Sequence, residues 1–171
     1  MFFFAVLIGI YFSAFDNTNN VSPNEGAPLG TDELTRRLLS VIFVFDGDTV
    51  RVETPNGTEK VRLIGVDAPE RAFDEGARSE CFADAAAEYV QSRILNEHVY
   101  VVRDPRTNNR DKHGRLLRYI VTQEGSDIGA DMLRQGYVEL FEFETFSKKF
   151  EYRQLETEAR RASRGLWNAC L

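Results

Sequence analysis

Residues Leu39 to Glu70 read LSVIFVFDGDTVRVETPNGTEKVRLIGVDAPE. Leu39 to Phe45 is apolar and β-branched, which predicts a strand. Asp46-Gly47 is a strong tight-turn signal. Thr49 to Glu53 alternates apolar with polar residues, as a half-buried strand does. Thr54-Pro55-Asn56-Gly57 is a second turn, and Glu59 to Val66 reads as a third strand. Three strands joined by two tight turns make an antiparallel meander, and a five-stranded barrel commonly begins this way.

Downstream, Ala77 to Asn96 predicts a helix, with Phe82, Ala86, Tyr89 and Ile94 near one stripe. Val99 to Val102 is a fourth strand and Leu116 to Thr122 a fifth. Between them Asp104 to Gly114 is a polar, basic loop. Ile128 to Gln135 is a short helix stopped by Gly136. Tyr137 to Phe143 is extended or irregular. Phe146 to Ser163 is a second long helix, after which Trp167 is expected to pack against the barrel. The expected class is α+β, mainly β: a five-stranded barrel of OB-fold type with about three helices.

The chain has 171 residues, a formal net charge of -6 and a pI near 5.1. A nucleic-acid binder is usually basic, because the phosphate backbone rewards positive charge. Local charge differs from the average. From Arg103 to Arg118 six Lys/Arg face two Asp, a net of +4. The N-terminal run Phe2 to Phe15 is apolar and uncharged. Fourteen residues are short for a membrane span and closer to a signal-peptide core. The division expected is a signal or membrane anchor over 1–15, a flexible linker over 16–38 and a folded domain over 39–171. Such an N-terminus implies export machinery or a membrane as partner, and a location outside the cytoplasm. Two cysteines, Cys81 and Cys170, then suggest a disulfide that pins the tail. The alternative is two free thiols in a cytosolic protein.

Two acidic clusters flank the third strand: Asp46-Gly47-Asp48-Thr49 and Val66-Asp67-Ala68-Pro69-Glu70. Carboxylates at the ends of neighbouring strands can converge. Asp48 and Asp67 are the candidate ligands of a hard cation, which takes oxygen donors. Arg62 and Arg115 are candidate phosphate clamps, because guanidinium matches phosphate oxygens in pairs and keeps its charge. Strict alternation places Arg62 and Asp67 on opposite strand faces. They share a site only if the strand bends, and Gly65 offers a bulge. Glu70 stands where it could orient or deprotonate a water.

In order, DGDT, RLIGVDAPE, DKHGR and RQGY resemble the staphylococcal-nuclease (thermonuclease) family, from about Ser40 to Trp167. The resemblance implies an OB-fold barrel, one calcium ion and hydrolysis of DNA or RNA phosphodiesters that leaves a 3′-phosphate. It implies the Ala68 carbonyl as a further ligand, with Asp46 supporting the site from behind. It makes Arg62, Glu70 and Arg115 catalytic. It places Lys112 and His113 against the nucleotide, with His113 standing where an aromatic is usual. Glu142 and Glu144, interleaved with Phe141, Phe143 and Phe146, depart from the family's tyrosines after Gly136. The expected activity is a calcium-dependent, monomeric nuclease. The alternative is a non-catalytic nucleic-acid-binding module on the same barrel.

Overall fold

The computed structural model describes residues 36–74 and 76–170. The apolar run Phe2 to Phe15 and the linker up to residue 35 lie outside them. In chain order the elements are β1 (Arg36–Val44), β2 (Thr49–Thr54), β3 (Gly57–Leu63), β4 (Val66–Asp67), α1 (Ala83–Ile94), β5 (His98–Val102), β6 (Leu116–Val121), α2 (Ile128–Gln135), β7 (Glu139–Leu140), α3 (Lys149–Arg161) and α4 (Leu166–Ala169).

Five strands close into a barrel in the order β1-β2-β3-β6-β5. All pairings are antiparallel except β3 with β6. This is the OB-fold arrangement. β1 pairs with β5 through its first half and with β2 through its second, and its register shifts between Val41 and Phe43. A bulge there bends one strand across two neighbours, which closure requires. The inward positions Val41, Val50, Val52, Val61 and Val99 are fully buried, and α1 lays Ala86, Val90 and Ile94 into the same core.

Four expectations are corrected. β1 begins at Arg36, so Arg36 to Leu38 belong to the barrel and not to the linker. The Arg36 guanidinium lies 3.5 Å from the Tyr100 ring centre, which gives an apparently solvated arginine a place on the strand. The long helix begins at Ala83, not Ala77. Phe82, at its N-cap, has φ 71, which a continuous helix does not allow. Its ring packs against Tyr137 instead, tilted by 30° with ring centres 5.5 Å apart. The third strand ends at Leu63. The chain turns at Ile64-Gly65 and restarts as β4, paired with β7. Trp167 lies 3.7 Å from the Arg160 guanidinium and beside Gly136, rather than on the barrel.

A buried carboxylate joins the barrel to the C-terminal helices. Asp104 is 1% exposed. It accepts bonds from the Tyr119 hydroxyl (2.5 Å), the Ser147 N–H (2.6 Å) and hydroxyl (2.9 Å), and the Arg106 N–H (2.8 Å). Burial alone raises its pKa, but these donors outweigh it and hold the carboxyl below its ordinary value. A depressed carboxylate pKa adds stability at neutral pH that disappears as pH falls through the folded value. Asp104→Ala is therefore expected to cost about 3 kcal/mol at pH 7, since it strands buried donors. The deficit should shrink below about pH 4. Urea unfolding of both proteins from about pH 3 to pH 7 checks this.

Cys81 and Cys170 are disulfide-bonded and 89 residues apart in sequence. The bond ties the segment ahead of α1 to the residue after α4. In the chain-entropy account a loop of this length is worth about 4–5 kcal/mol. Denaturant midpoints with and without reductant should differ accordingly. Unchanged midpoints would show that the bond contributes nothing to the stability of the fold.

Candidate active site

The first acidic cluster is shaped by its own side chains. Asp46 Oδ1 accepts the N–H groups of Asp48 (2.9 Å) and Thr49 (2.7 Å), which fixes the turn. A Cβ on Gly47 would stand 2.8 Å from the Ala68 Cβ and 2.9 Å from the Ala86 Cβ. Only glycine allows this approach. Asp48 is buried as a result. Its Oδ2 accepts the Ala68 N–H at 2.8 Å and its Oδ1 accepts the Thr49 hydroxyl at 2.9 Å. The two acidic clusters therefore touch directly.

Arg62 lies between the two aspartates. Its Nη1 is 2.8 Å from Asp48 Oδ2 and its Nη2 is 2.8 Å from Asp67 Oδ1. Nη1 also donates to the Val66 carbonyl at 2.6 Å. This needs the strand to bend, as alternation required. The bend is a full turn rather than a bulge: Gly65 has φ 74, and a Cβ there would meet the Phe146 ring at 2.4 Å. The Phe141 ring centre stands 5.9 Å from the same guanidinium.

Arg115 arrives from the loop before β6. Its Nε donates to Asp111 Oδ2 at 2.7 Å and its Nη1 to the Thr49 hydroxyl at 3.2 Å. Asp111 Oδ1 also takes the N–H groups of His113 and Arg115, both at 2.9 Å. One cleft of about 420 Å³ brings together Asp48, Arg62, Asp67, Glu70, Lys112, His113 and Arg115. Of the residues expected from sequence, Asp46 and Ala68 do not line it. They hold the turn and Asp48 from behind.

Asp111, Thr49, Phe141 and Glu144 were not assigned roles from sequence. Asp111 had a usable signal, since it stands four residues before Arg115 in the same short motif. Glu144 had none, because it reaches the cleft from the segment after β7.

Burial pushes the Asp48 carboxyl up to about 7, with Arg62 opposing and Asp46 adding to the rise. Glu70 is raised by burial and then by Asp46, Glu80 and Asp67. Glu144 is raised by burial, against Arg62. Asp111 goes the other way: burial raises it, but its bonds from Arg115 and His113 prevail.

Among the described residues, no group of three or more His, Cys, Asp or Glu side chains is gathered to hold a metal. The available donors are two carboxylates that already converge on one cation, with backbone oxygen beside them. An all-oxygen set of this kind suits a hard cation such as calcium or magnesium and not a soft metal. Asp48 Oδ2 holds both an N–H and the Arg62 guanidinium, so any metal ion bound there competes with Arg62.

Comparison with known proteins gives a consistent result. The family model described as Staphylococcal nuclease homologue matches residues 60–169. The match begins inside β3, so the Asp48 turn lies ahead of it. An uncharacterized endonuclease of Escherichia coli O157:H7 is 29% identical over 128 residues, 75% of each chain. Endonuclease YhcR of Bacillus subtilis is 27% identical over 133 residues, 73% of this chain but 11% of its own length. The probable endonuclease LCL3 of Schizophyllum commune is 32% identical over 132 residues, 70% of this chain and 44% of its own. This chain therefore spans a small part of the Bacillus protein and under half of the fungal one. The matched segment covers more than half of the chain and carries the end of β3, β5 and β6 of the barrel with the helices, and the chain belongs to the staphylococcal nuclease homologue family.

Proposed function

We propose that this chain is a nuclease, a hydrolase of phosphodiester bonds in DNA or RNA that works with one calcium ion. The observation that carries the reading is the convergence of Asp48 and Asp67 on Arg62, in a cleft that also holds Arg115 and Glu70. The relatives with endonuclease in their names support the reaction class. Calcium ligated by Asp48, Asp67 and the Ala68 carbonyl would supply positive charge to the phosphate oxygens.

The chain's own groups have separate tasks. Arg62 and Arg115 bind non-bridging phosphate oxygens and meet the charge that grows on them in the transition state. Asp111 fixes Arg115 through Nε, so the outer nitrogens stay aimed at substrate. Glu70 takes the proton from the attacking water oxygen. Its raised pKa makes it a better proton acceptor than an ordinary carboxylate, provided that it remains ionised. As the water oxygen bonds to phosphorus the phosphorus–O5′ bond breaks and the 5′-oxygen takes a proton from solvent, leaving the 3′-phosphate that the family resemblance implies. Lys112 and His113 line the cleft where a nucleotide would lie. The Phe2 to Phe15 run and the disulfide support action outside the cytoplasm by a monomer that is exported or anchored.

A binding-only module is the second reading. Arg62 engages both carboxylates, which leaves no carboxylate pair free for a cation. The assay separates the two. The full chain is expected to degrade single-stranded DNA or RNA in calcium and to stop in chelator. Binding without cleavage would favour the module, and equal cleavage in chelator would remove the metal.

Arg62→Ala and Arg115→Ala should each lower the cleavage rate on the order of a hundredfold or more with the fold retained. Asp111→Ala should lower it less, because Arg115 keeps its charge and loses only its orientation. Asp48→Ala should first raise the calcium concentration needed. Rates measured across a calcium titration test all four.

A further inference from the structure

A second concavity, of about 320 Å³, opens at the end of the barrel away from the Asp48 turn. The end of β2, the start of β3 and the start of β1 meet there. Four arginines line it: Arg37, Arg103, Arg110 and Arg118. Glu59 is the one acidic residue in that lining, and Arg110 already holds both its oxygens, at 2.9 and 2.8 Å. Arg118 donates only to neutral oxygens, those of Leu117 and of the Asn109 backbone and side chain. Among the described residues, Arg37 and Arg103 have no side-chain hydrogen bond or ion pair.

Among the described residues, three guanidinium charges therefore share one concave mouth without a carboxylate of their own. Burial, and then the charges of Arg103, Arg110 and Arg37, make it harder for Arg118 to stay protonated. Like charges brought this close destabilise the free protein, and an anion seated among them relieves that. Guanidinium groups pair with phosphate oxygens two at a time. The Thr58 side chain and the Asn56 amide add neutral donors to the same wall.

We propose that the barrel mouth is a second phosphate-binding site, separate from the cleft and taking a ligand with several phosphate groups. The phosphates belong either to a polynucleotide strand or to a free nucleotide or polyphosphate. The loop from Asp104 to Arg115 joins the two places. Arg110 faces the mouth, while Asp111 and Arg115, in the same loop, face the cleft. The inference does not depend on what the cleft does.

Titration calorimetry of the full chain with inorganic tripolyphosphate, in chelator and at low salt, tests it. Binding is expected, and the Arg37→Ala/Arg103→Ala double variant should weaken it by about tenfold or more. Since neither arginine holds another side chain, the melting temperature should not move. Arg115→Ala alters the cleft alone and should keep the part of the binding that the double variant loses. No binding, equal binding by the double variant, or loss of binding in Arg115→Ala would each overturn the proposal. A competition arm identifies the source of the phosphates. If the ligand is a strand, a single-stranded oligonucleotide displaces tripolyphosphate. Its log-affinity against log-salt slope then becomes shallower by about 1.4 in the double variant, as two phosphate contacts vanish. If the ligand is a free nucleotide, nucleoside triphosphate displaces tripolyphosphate and the oligonucleotide does not.

Discussion

The reversal at Ile64-Gly65 decides whether there is a cleft. A straight third strand would carry Arg62 and Asp67 on opposite faces. The turn folds the chain back so that the Val66 carbonyl and the Asp67 carboxylate reach the same guanidinium. Two things hold the turn. Gly65 supplies a positive φ, and its missing Cβ leaves room for the Phe146 ring. The Gly65 carbonyl accepts the Phe141 N–H at 3.0 Å, which continues the β4–β7 pairing. Phe146 is 2% exposed and directly precedes Ser147, which Asp104 binds. The geometry of the cleft is thus anchored by residues that never enter it. A change at Phe146 or Asp104 would reach the site through the turn.

Arg62 between two aspartates is not a stability device of much value. Removing charges from water offsets most of the attraction gained, so a buried ion pair adds little net stability. The rise at Asp48 has the same origin: the surroundings cannot replace the water that its carboxylate has lost. Such a group gains from any further positive charge placed near it. Thr49 illustrates how closely the parts are linked, since its hydroxyl donates to Asp48 and accepts from Arg115. One hydroxyl thereby joins the carboxylate half of the cleft to the second arginine.

The barrel was legible in the sequence because its signals are local. Alternation in β2, the Asp46-Gly47 turn and the apolar runs of β5 and β6 each need only a few neighbouring residues. The pairing of Cys81 with Cys170 was suggested by an even count and an expected export, without any geometry. What was not legible depends on distant partners. Phe82 ends a helical pattern because Tyr137, far along the chain, offers its ring. Arg36 and Arg37 look like linker until β5 is beside them. Glu144 enters the cleft because β7 pairs with β4, two residues with two. Alternation stated the problem at Arg62 and Asp67 correctly, and Gly65 was the right residue to suspect. The size of the bend came from Phe146, which no local pattern around Gly65 contains.

Net charge was the most misleading single number. Residues 1–35 hold four acidic side chains and no basic one, so they carry four of the six net negative charges. The remaining chain is nearly balanced. Within it several acids are matched to particular bases: Glu59 to Arg110, Asp111 to Arg115, Asp127 to Lys148, Glu142 to Arg153 and Glu156 to Arg160. A matched pair presents little field to a ligand a Debye length away, about 8 Å at physiological salt. The unmatched charges are the ones a polyanion would feel. Arg37, Arg103 and Arg118 gather at the barrel mouth, while Lys112 stands at the cleft. An acidic protein thereby keeps a basic path on one barrel, because the sign of a surface is set by which charges lack partners and not by their sum.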